Sequence, residues 1–325
     1  MTKKRLRNAL TLAIAAISAS LEAPRLAHEP LATAAASMVD ANGAIDDAVE
    51  TVASNVSGTY LGFDTNIYPG DKAMDAWKKS GEYKWVGYYL QGACHKDDSW
   101  MGTRDRLVDA GWGLAVIYVG QQTWGRSLTA VTAAKAIKPS PSKKSKKSKA
   151  KSARRMARKS TTPVATTGAG CSASYVNAAQ GAIDARDAIT RAAREGFAEG
   201  TVVFLDVEHM DVVPQRMRDY YRSWTRTMLA DGRYRPGIYA HTSNAAAIYE
   251  DVSEIYARAN VAGDPPFWVA GAKGFSPESA PTDVGHSFAS AWQGVLDVVR
   301  THNGVRLPID ISVASVASPS SAAVQ

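Results

Sequence analysis

The chain has 325 residues, a hydrophobic content of 45% and a formal net charge of +7, which suits one large folded domain or two ordinary ones. No run of 18 or more uninterrupted apolar residues occurs, so no transmembrane span is predicted. The positive charge is local: residues 131–170 hold twelve Lys or Arg and no acid, and without these twelve the chain has a net charge of −5.

Residues 1–57 are predicted to be an N-terminal extension that is helical or disordered. A basic stretch, Lys3–Arg7, precedes the short apolar run Ala9–Ile17, and small residues follow. This order resembles a secretory signal peptide, in which case the protein would be secreted or held in the cell envelope. An exposed or weakly amphipathic helix is the alternative.

Eight short segments rich in Val, Ile, Tyr and Trp follow, and helical patterns lie between most of them. Several are apolar on both faces, as in parallel strands covered by helices. The predicted strands are Gly58–Thr65, Lys84–Gln91, Trp112–Gly120, Thr201–Glu208, Arg235–Thr242, Pro266–Ala272, Ser287–Gln293 and Pro308–Ala314. The predicted helices are Asp71–Ser80, Thr103–Ala110, Ser174–Gly196, Pro214–Asp231 and Asn244–Ala259.

This alternation predicts an α/β fold, a (β/α)8 TIM-like barrel over residues 58–315. The segments between the sixth and eighth strands are short and rich in Gly and Pro, so the last third of the barrel should be irregular. An open doubly wound sheet is the alternative, although no GxGxxG follows an early strand. Residues 316–325 are expected to form a disordered tail.

A Lys/Arg-rich insertion, residues 125–170, interrupts the predicted barrel after the third strand. Its central part from Lys135 to Lys159 has no aromatic residue, so it cannot bury enough apolar area to offset its ordering entropy and is predicted to be disordered. Residues 138–159 could contact polyanions non-specifically, and association with nucleic acid is a weaker hypothesis. A solvated loop without a specific partner is the alternative.

Cys94 and Cys171 are the two cysteines of the chain. Neither has the spacing of a metal-ligand cluster, so no metal site is predicted, and no cofactor is expected. Cys94 follows the second strand and Cys171 lies in the insertion after the third, so both would lie at the mouth of the barrel. A disulfide is therefore possible, and it would require an oxidising compartment. Two unrelated thiols are the alternative.

Acidic, polar and aromatic residues gather at the predicted carboxyl ends of the strands, where catalytic residues lie in such barrels. Asp206 and Glu208 end the run "VVFLDVEH" and, two residues apart on a strand, point the same way. Two acids on one face repel each other, which is unfavourable and therefore indicates a functional or structural role for the pair. The other candidates are Asp64, Tyr239, His241, Trp268, Trp292, Gln293 and Asp310.

Paired carboxylates with aromatic rings are typical of a carbohydrate site, since acids do the proton transfer at a glycosidic bond. The structural alternatives stay open. Asp206 and Glu208 could pair with a neighbouring Arg or Lys, and Asp64 and Asp310 could cap loops. The two tryptophan candidates could simply fill the barrel.

The candidate residues also carry a family resemblance. "GFDTN", "FLDVEH", "GIYAHTS", "FWVAG", "AWQG" and "IDISVAS" occur in the order seen in the glycoside hydrolase family 25 lysozymes. "WVGYYLQG" and "RLVDAGWGLAVIYVGQQ" are more similar to a related glycoside-hydrolase-like family called domain of unknown function 1906. The resemblance covers residues 58–315 apart from the basic insertion.

The resemblance implies muramidase-type hydrolysis of peptidoglycan, the bacterial cell-wall glycan. It makes Glu208 the catalytic acid, with Asp206 and Asp64 beside it. By the same resemblance, the residues that match substrate-binding positions are Tyr239, Trp292, Gln293 and Asp310. Gly271 and Gly294 stand where the lysozymes usually have an aromatic residue, which leaves fewer surfaces for stacking sugars.

In the expected chemistry, burial and the neighbouring Asp206 raise the pKa of Glu208, which then protonates the leaving oxygen. Asp206 stays ionised and either stabilises oxocarbenium charge or orients the acetamido group of the substrate. Asp64 tunes the pair or positions a water. The alternative function is a non-catalytic glycan-binding or scaffold barrel that has lost turnover.

Overall fold

The computed structural model describes residues 58–124 and 170–321. In this part of the chain eight strands close into one barrel, in which neighbouring strands follow chain order. The strands are β1 Tyr60–Asp64, β2 Trp85–Leu90, β3 Gly113–Val119, β4 Val202–Val207, β5 Arg235–His241, β6 Phe267–Ala270, β7 Ala289–His302 and β8 Val305–Ala314. The predicted barrel is confirmed, and the open doubly wound sheet is wrong.

The predictions for residues 1–57, for nearly all of the Lys/Arg-rich insertion and for residues 322–325 lie outside the described residues. That includes the polyanion contact expected for residues 138–159. No helix of the described part is long and apolar enough to cross a membrane.

The helices of the described part pack around the barrel and end where local signals stop them. They are α1 Asp71–Lys78, α2 Arg104–Asp109, α3 Ala178–Arg194, α4 Gln215–Asp231 and α5 Thr242–Arg258. The Asn177 side chain caps α3 by accepting a hydrogen bond from the backbone N–H of Gln180. Pro214 precedes α4, and Gly232 ends it in the left-handed conformation with φ of 80°.

The last third of the barrel departs from eightfold β/α alternation. β8 runs antiparallel to both β7 and β1, and a 3-10 helix, Pro281–Val284, replaces the α-helix between β6 and β7. Two residues, Asn303 and Gly304, join β7 to β8, and so short a connection can join only antiparallel strands. Both have positive φ, 48° and 78°, as a tight hairpin turn requires.

The β7–β8 hairpin reaches beyond the barrel and packs on α1. The Trp77 indole N–H donates to the backbone oxygen of Val305 at 3.1 Å, and the Asn303 amide donates to Ala76 at 2.6 Å. Leu307 and Ile309 of the hairpin are buried in the outer core. The hairpin therefore brings apolar side chains to the outer face of the barrel in a region without an eighth α-helix.

The inside of the barrel is filled by large side chains facing glycines. Trp85 and Trp268 meet edge to face with ring centroids 5.4 Å apart. A Cβ at Gly62 would lie 2.1 Å from the Trp85 indole, and one at Gly237 would lie 2.7 Å from the Phe204 ring. The interior is therefore a packed core, so the lumen leaves no room for a ligand.

The prediction of a disordered tail from residue 316 is corrected for residues 316–321. The buried Ser320 inserts between β3 and β4 at their amino ends. Its backbone N–H donates to Leu114 and its backbone oxygen accepts from Val202, each at 2.9 Å. Its hydroxyl accepts from the backbone N–H of Val116 at 2.7 Å. These bonds satisfy strand groups that would otherwise be unpaired.

Candidate active site

Four carboxyl groups meet at the mouth of the barrel. Asp64 ends β1, Asp206 and Glu208 lie at the end of β4, and Asp310 pairs with Asp64 in the β1–β8 register. All four line a cavity of about 80 Å³ that also holds Tyr239 and Gln293, among others. The same four acids line a wider cleft of about 340 Å³ above it. The antiparallel direction of β8 does not prevent this, because Asp310 lies within the strand rather than at its end.

Asp64 is held deep in this cavity, with 4% of its surface exposed. A Cβ at residue 87 would lie 2.5 Å from the Asp64 Cβ, so Gly87 of β2 makes the space for this side chain. Tyr89 donates to Oδ1 at 2.7 Å, and the Gln293 amide donates to Oδ2 at 2.8 Å. Burial and then the charge of Asp310 raise the pKa of Asp64 to about 7, against the effect of these two bonds.

Gln293 connects the fifth, first and eighth strands. Its Oε1 accepts from the Tyr239 hydroxyl at 2.6 Å, and its Nε2 lies 3.5 Å from the Asp310 Oδ2. Burial, and then the charge of Asp206, raise the pKa of Tyr239 well above its usual value, so the hydroxyl stays protonated and donates. That donation turns the Gln293 nitrogen towards Asp64 and fixes the orientation of the amide.

Asp206 differs from the expectation that it stays ionised. Its Oδ1 is buried with no hydrogen-bond partner in the described structure. Burial, followed by the charges of Glu208 and Asp64, raises the pKa of Asp206 well above its usual value. Burial without a donor at Oδ1 therefore shifts this carboxyl towards its protonated form.

Gln122, which follows β3, holds the end of β4 in place. Its Nε2 donates to the backbone oxygen of Asp206 at 2.8 Å, and its Oε1 accepts from the backbone N–H of Glu208 at 3.3 Å. One amide side chain thereby fixes the backbone on which both acids stand. Gln122 is not among the candidates taken from the sequence, because its role depends on a contact between residues that are 86 positions apart.

Glu208 and Asp310 are partly exposed, and both have a raised pKa. Burial is the main cause for Glu208, and the charge of Asp310 adds to it. Burial also raises the pKa of Asp310, although its Oδ1 accepts from the backbone N–H of Asp297 at 2.6 Å. The mouth is therefore a site in which several acids resist ionisation together.

Trp292 does not line the cleft, contrary to expectation. It is adjacent to Gln293 on β7, so the two side chains lie on opposite faces of the strand. The Trp292 indole N–H donates to the backbone oxygen of Gly271 at 2.6 Å, its ring centroid lies 5.1 Å from that of Phe275, and 0% of its surface is exposed. It packs outside the barrel rather than against a substrate.

Trp268 faces inward but lies too deep to stack on a sugar. It is 1% exposed and meets the Tyr239 ring edge to face at 5.5 Å. It forms part of the wall of the small cavity. The space-filling alternative for this residue fits its position in the barrel core.

His241 lies at the end of β5 but lines neither the cavity nor the cleft. Its Nδ1 accepts from the backbone N–H of Ser243 at 3.2 Å and so caps α5. Its ring meets that of His209 at 4.7 Å. Burial lowers the pKa of His241, and the His209 charge adds to the effect.

The structure explains why a glycine, and not an aromatic residue, stands at position 294. A Cβ at this position would lie 1.9 Å from the Phe275 ring. The space next to Gln293 on β7 is thus occupied by an aromatic ring that comes from the connection between β6 and β7.

The wall of the wider cleft includes residues that were not expected there. Trp124, 60% exposed, is the most open aromatic among its described lining residues, and His95 lies beside Tyr89 with ring centroids 5.0 Å apart. Asn66 and Asp297 complete the polar wall. Tyr89 could have been found from the sequence, because it alternates with Gly87 on the inward face of β2.

A disulfide joins Cys94 to Cys171 beside the cleft. The two ends of the insertion are also tied together by Gln121. Its amide donates to the backbone oxygen of Gly170 at 3.2 Å and accepts from the backbone N–H of Ser172 at 2.9 Å. Within the described ranges, no group of three or more His, Cys, Asp or Glu side chains is arranged to hold a metal ion.

The chain matches one family model and is similar in fold to several solved structures. A family model described as Rv2525c-like, glycoside hydrolase-like domain matches residues 75–314. A crystal structure of an uncharacterized B. stearothermophilus protein is similar with a TM-score of 0.48 and 18% identity, over 78% of this chain and 95% of that one. No match was found among the curated proteins.

Two further solved structures are similar in the same sense. The lysozyme from Streptomyces coelicolor has a TM-score of 0.42 and 15% identity, over 78% of this chain and 90% of the lysozyme. The Mycobacterium tuberculosis Tat-secreted protein Rv2525c has a TM-score of 0.40 and 16% identity, over 79% of this chain and 94% of that protein.

Proposed function

The chain belongs to the Rv2525c-like, glycoside hydrolase-like domain family, and from that premise we propose that it hydrolyses a glycosidic bond of bacterial cell-wall glycan, peptidoglycan. One observation carries the proposal: Asp64, Asp206, Glu208 and Asp310 line a single cavity at the mouth of the barrel. Glycoside hydrolysis uses a pair of carboxyl groups beside an open cleft, and the one that acts as general acid has a raised pKa.

Glu208 is the proposed general acid. It is partly exposed and lines the cleft, and burial raises its pKa, which favours the protonated form that delivers a proton to the leaving oxygen. The backbone contact with Gln122 keeps it in position. Proton donation of this kind contributes about 10²–10⁴-fold to a reaction rate.

Asp64 and Asp206 are the proposed source of negative charge for an oxocarbenium-like transition state. The two bonds donated by Tyr89 and Gln293 make Asp64 the better stabilised carboxylate. The Asp206 Oδ1 has no such donor in the described structure, so in this proposal Asp206 passes its proton to water in the cleft as positive charge develops on the sugar beside it. Asp310 raises the proton affinity of both Asp64 and Glu208.

The disulfide between Cys94 and Cys171 supports a location outside the cytoplasm, because such bonds persist in oxidising compartments. A secreted or cell-envelope protein would meet peptidoglycan there. This location is part of the proposal.

The decisive experiment measures the release of reducing ends from purified peptidoglycan by the wild type, by Glu208→Gln and by Glu199→Gln. Glu199 is exposed and precedes β4 at the amino end of the barrel, and it lines neither the cavity nor the cleft. Its variant is therefore the matched control. We expect Glu208→Gln to lose about 10²–10⁴-fold in rate and Glu199→Gln to match the wild type. Equal rates for Glu208→Gln and wild type would refute the assignment.

A second candidate function is glycan binding without turnover. The unpartnered Oδ1 of Asp206 favours it, because a carboxyl that stays protonated cannot stabilise a cationic transition state. Trp124 would then be the main stacking surface of the described cleft. Co-sedimentation with peptidoglycan that is weakened by Trp124→Ala, with no reducing ends released by the wild type, would favour this function over hydrolysis.

A further inference from the structure

A second cavity, larger than the acidic cleft, lies at the opposite end of the barrel. Its volume is about 550 Å³. Its walls come from α1 and α2, from residues at the amino ends of the strands and from residues 317–321 of the tail. A volume of this size falls in the range of about 300–1,000 Å³ that is usual for small-molecule sites.

The charge of this amino-end cavity is of one sign. Lys78, Lys84 and Arg104 line it, and no Asp or Glu among the described residues does. Burial lowers the pKa of Lys78, and the charge of Lys84 adds to the effect. Two lysines that repel each other in a partly buried space are stabilised by an anion placed between them.

Buried donors at the cavity also lack partners. The Nε of Arg104 and the indole N–H of Trp112 are buried without a hydrogen bond in the described structure. Arg104 does use its Nη1 for Asp105, whose side chain is exposed and does not line the cavity. An unsatisfied buried donor is destabilising, so an acceptor that reaches it relieves part of that cost.

Part of the remaining wall is apolar, and the rest includes the hydroxyl residues Thr201, Ser318, Ser320 and Ser321. Trp112, Leu114 and Phe197 are buried in the core and reach the cavity, and Val108 on its edge is 44% exposed. Apolar walls next to three cations suit a ligand that has both an apolar part and a charged group.

We propose that the amino-end cavity binds an amphiphilic anion, a single carboxylate or phosphate group carried on an apolar chain. The charged group lies among Lys78, Lys84 and Arg104, and the chain lies along Val108 and Phe197. The site is independent of the acidic mouth and of any hydrolysis there.

Isothermal titration of the full chain tests the proposal with dodecyl phosphate and dodecanoate, each kept below its micelle concentration, and with inorganic phosphate and dodecyltrimethylammonium. We expect one site per chain for at least one of the two amphiphilic anions, at least tenfold weaker binding of inorganic phosphate, and no binding of the cation. The two amphiphiles distinguish a phosphate from a carboxylate headgroup. Equal binding of the anionic and cationic amphiphiles would overturn the proposal.

Two matched pairs of variants locate the site. Lys84 is exposed and lines the cavity, whereas the nearby exposed Lys79 does not. We expect Lys84→Glu to weaken amphiphile binding at least tenfold and Lys79→Glu to leave it unchanged. We expect Val108→Asp to weaken it as strongly, and Val212→Asp, at an exposed position outside the cavity, to leave it unchanged. Variants of each pair that behave alike, while keeping the wild-type circular dichroism spectrum, would refute the site.

Discussion

The two ends of this barrel carry opposite charge and are held together differently. The cleft at the mouth is lined by five carboxyl groups and by no Lys or Arg in the described part, whereas the amino-end cavity has three cations and no acid. The mouth is fixed by side-chain hydrogen bonds and a disulfide, and the amino end by backbone hydrogen bonds to the tail. One scaffold thus separates an acidic end from a basic end.

The largest expected effect concerns the covalent tie at the mouth. Removing the disulfide in Cys94→Ser/Cys171→Ser should lower the free energy of unfolding by about 4 kcal/mol, because the bridge closes a loop between residues 77 positions apart. Urea unfolding of the variant and the oxidised wild type measures the difference. A loss below about 1 kcal/mol would show that the mouth does not depend on the bridge.

The second prediction concerns strain among the acids. The pKa of Asp64 is about 7 in the folded chain and 3.8 ordinarily, so between these values the folded state keeps a proton that the unfolded state has released. Raising the pH from 4 to 8 therefore destabilises the fold, by up to about 4 kcal/mol for this group. Asp64→Asn should unfold with a flatter pH dependence and be more stable than wild type at pH 8.

Urea unfolding at pH 4, 6 and 8 checks this result, with Asp264→Asn at an exposed position as the control. The control should keep the pH dependence of the wild type. An Asp64→Asn profile parallel to that of the wild type would mean that the mouth is not strained by this carboxyl.

The third prediction tests the amino end. A Cβ at Gly113 would lie 1.7 Å from the backbone oxygen of Ala317, so Gly113→Ala should displace the tail and cost about 2–3 kcal/mol. Gly58→Ala is the control, because nothing lies within 4 Å of a Cβ there. Equal unfolding midpoints for the two variants would show that the tail contributes little to closing this end.

The smallest effect is expected at the hydrogen-bond chain of the mouth. Tyr239→Phe removes the donor to the Gln293 Oε1 and should cost about 1.5 kcal/mol. It also frees the amide that supports the Asp64 carboxylate, so the pKa of Asp64 should rise further. Tyr249→Phe, whose ring stacks on Phe288 outside the barrel, is the control. A cost no larger than that of the control would contradict the chain of bonds.

The barrel was predictable because its elements are signalled locally. Alternation of short β-rich segments with helical patterns predicted eight strands, and Pro214 and Gly232 marked the ends of α4 in the sequence as in the structure. The direction of β8 was missed although a signal was present. Asn303–Gly304 is a strong hairpin signal, but the seventh strand was ended at Gln293, nine residues before its end at His302.

Part of the site was also predictable, and one error was avoidable. Asp64, Asp206, Glu208 and Asp310 meet as expected, since they lie at or near the same rim. Trp292 and its neighbour Gln293 could not both face inward on one strand, because adjacent side chains alternate. The sequence could have excluded one of them, but only the packing of Phe275 decided which.

The hydrophobic periodicity of the strands and helices, their order along the chain and the positions of the acids near strand ends can be predicted from the sequence. These features depend on backbone geometry within a few residues. The hydrogen-bond donors and the burial of each acid depend on the tertiary structure. Asp64 receives two donors from β2 and β7, while Oδ1 of Asp206 receives none. Burial and partners contributed by distant segments set the proton affinity of a carboxyl, and no local pattern encodes them.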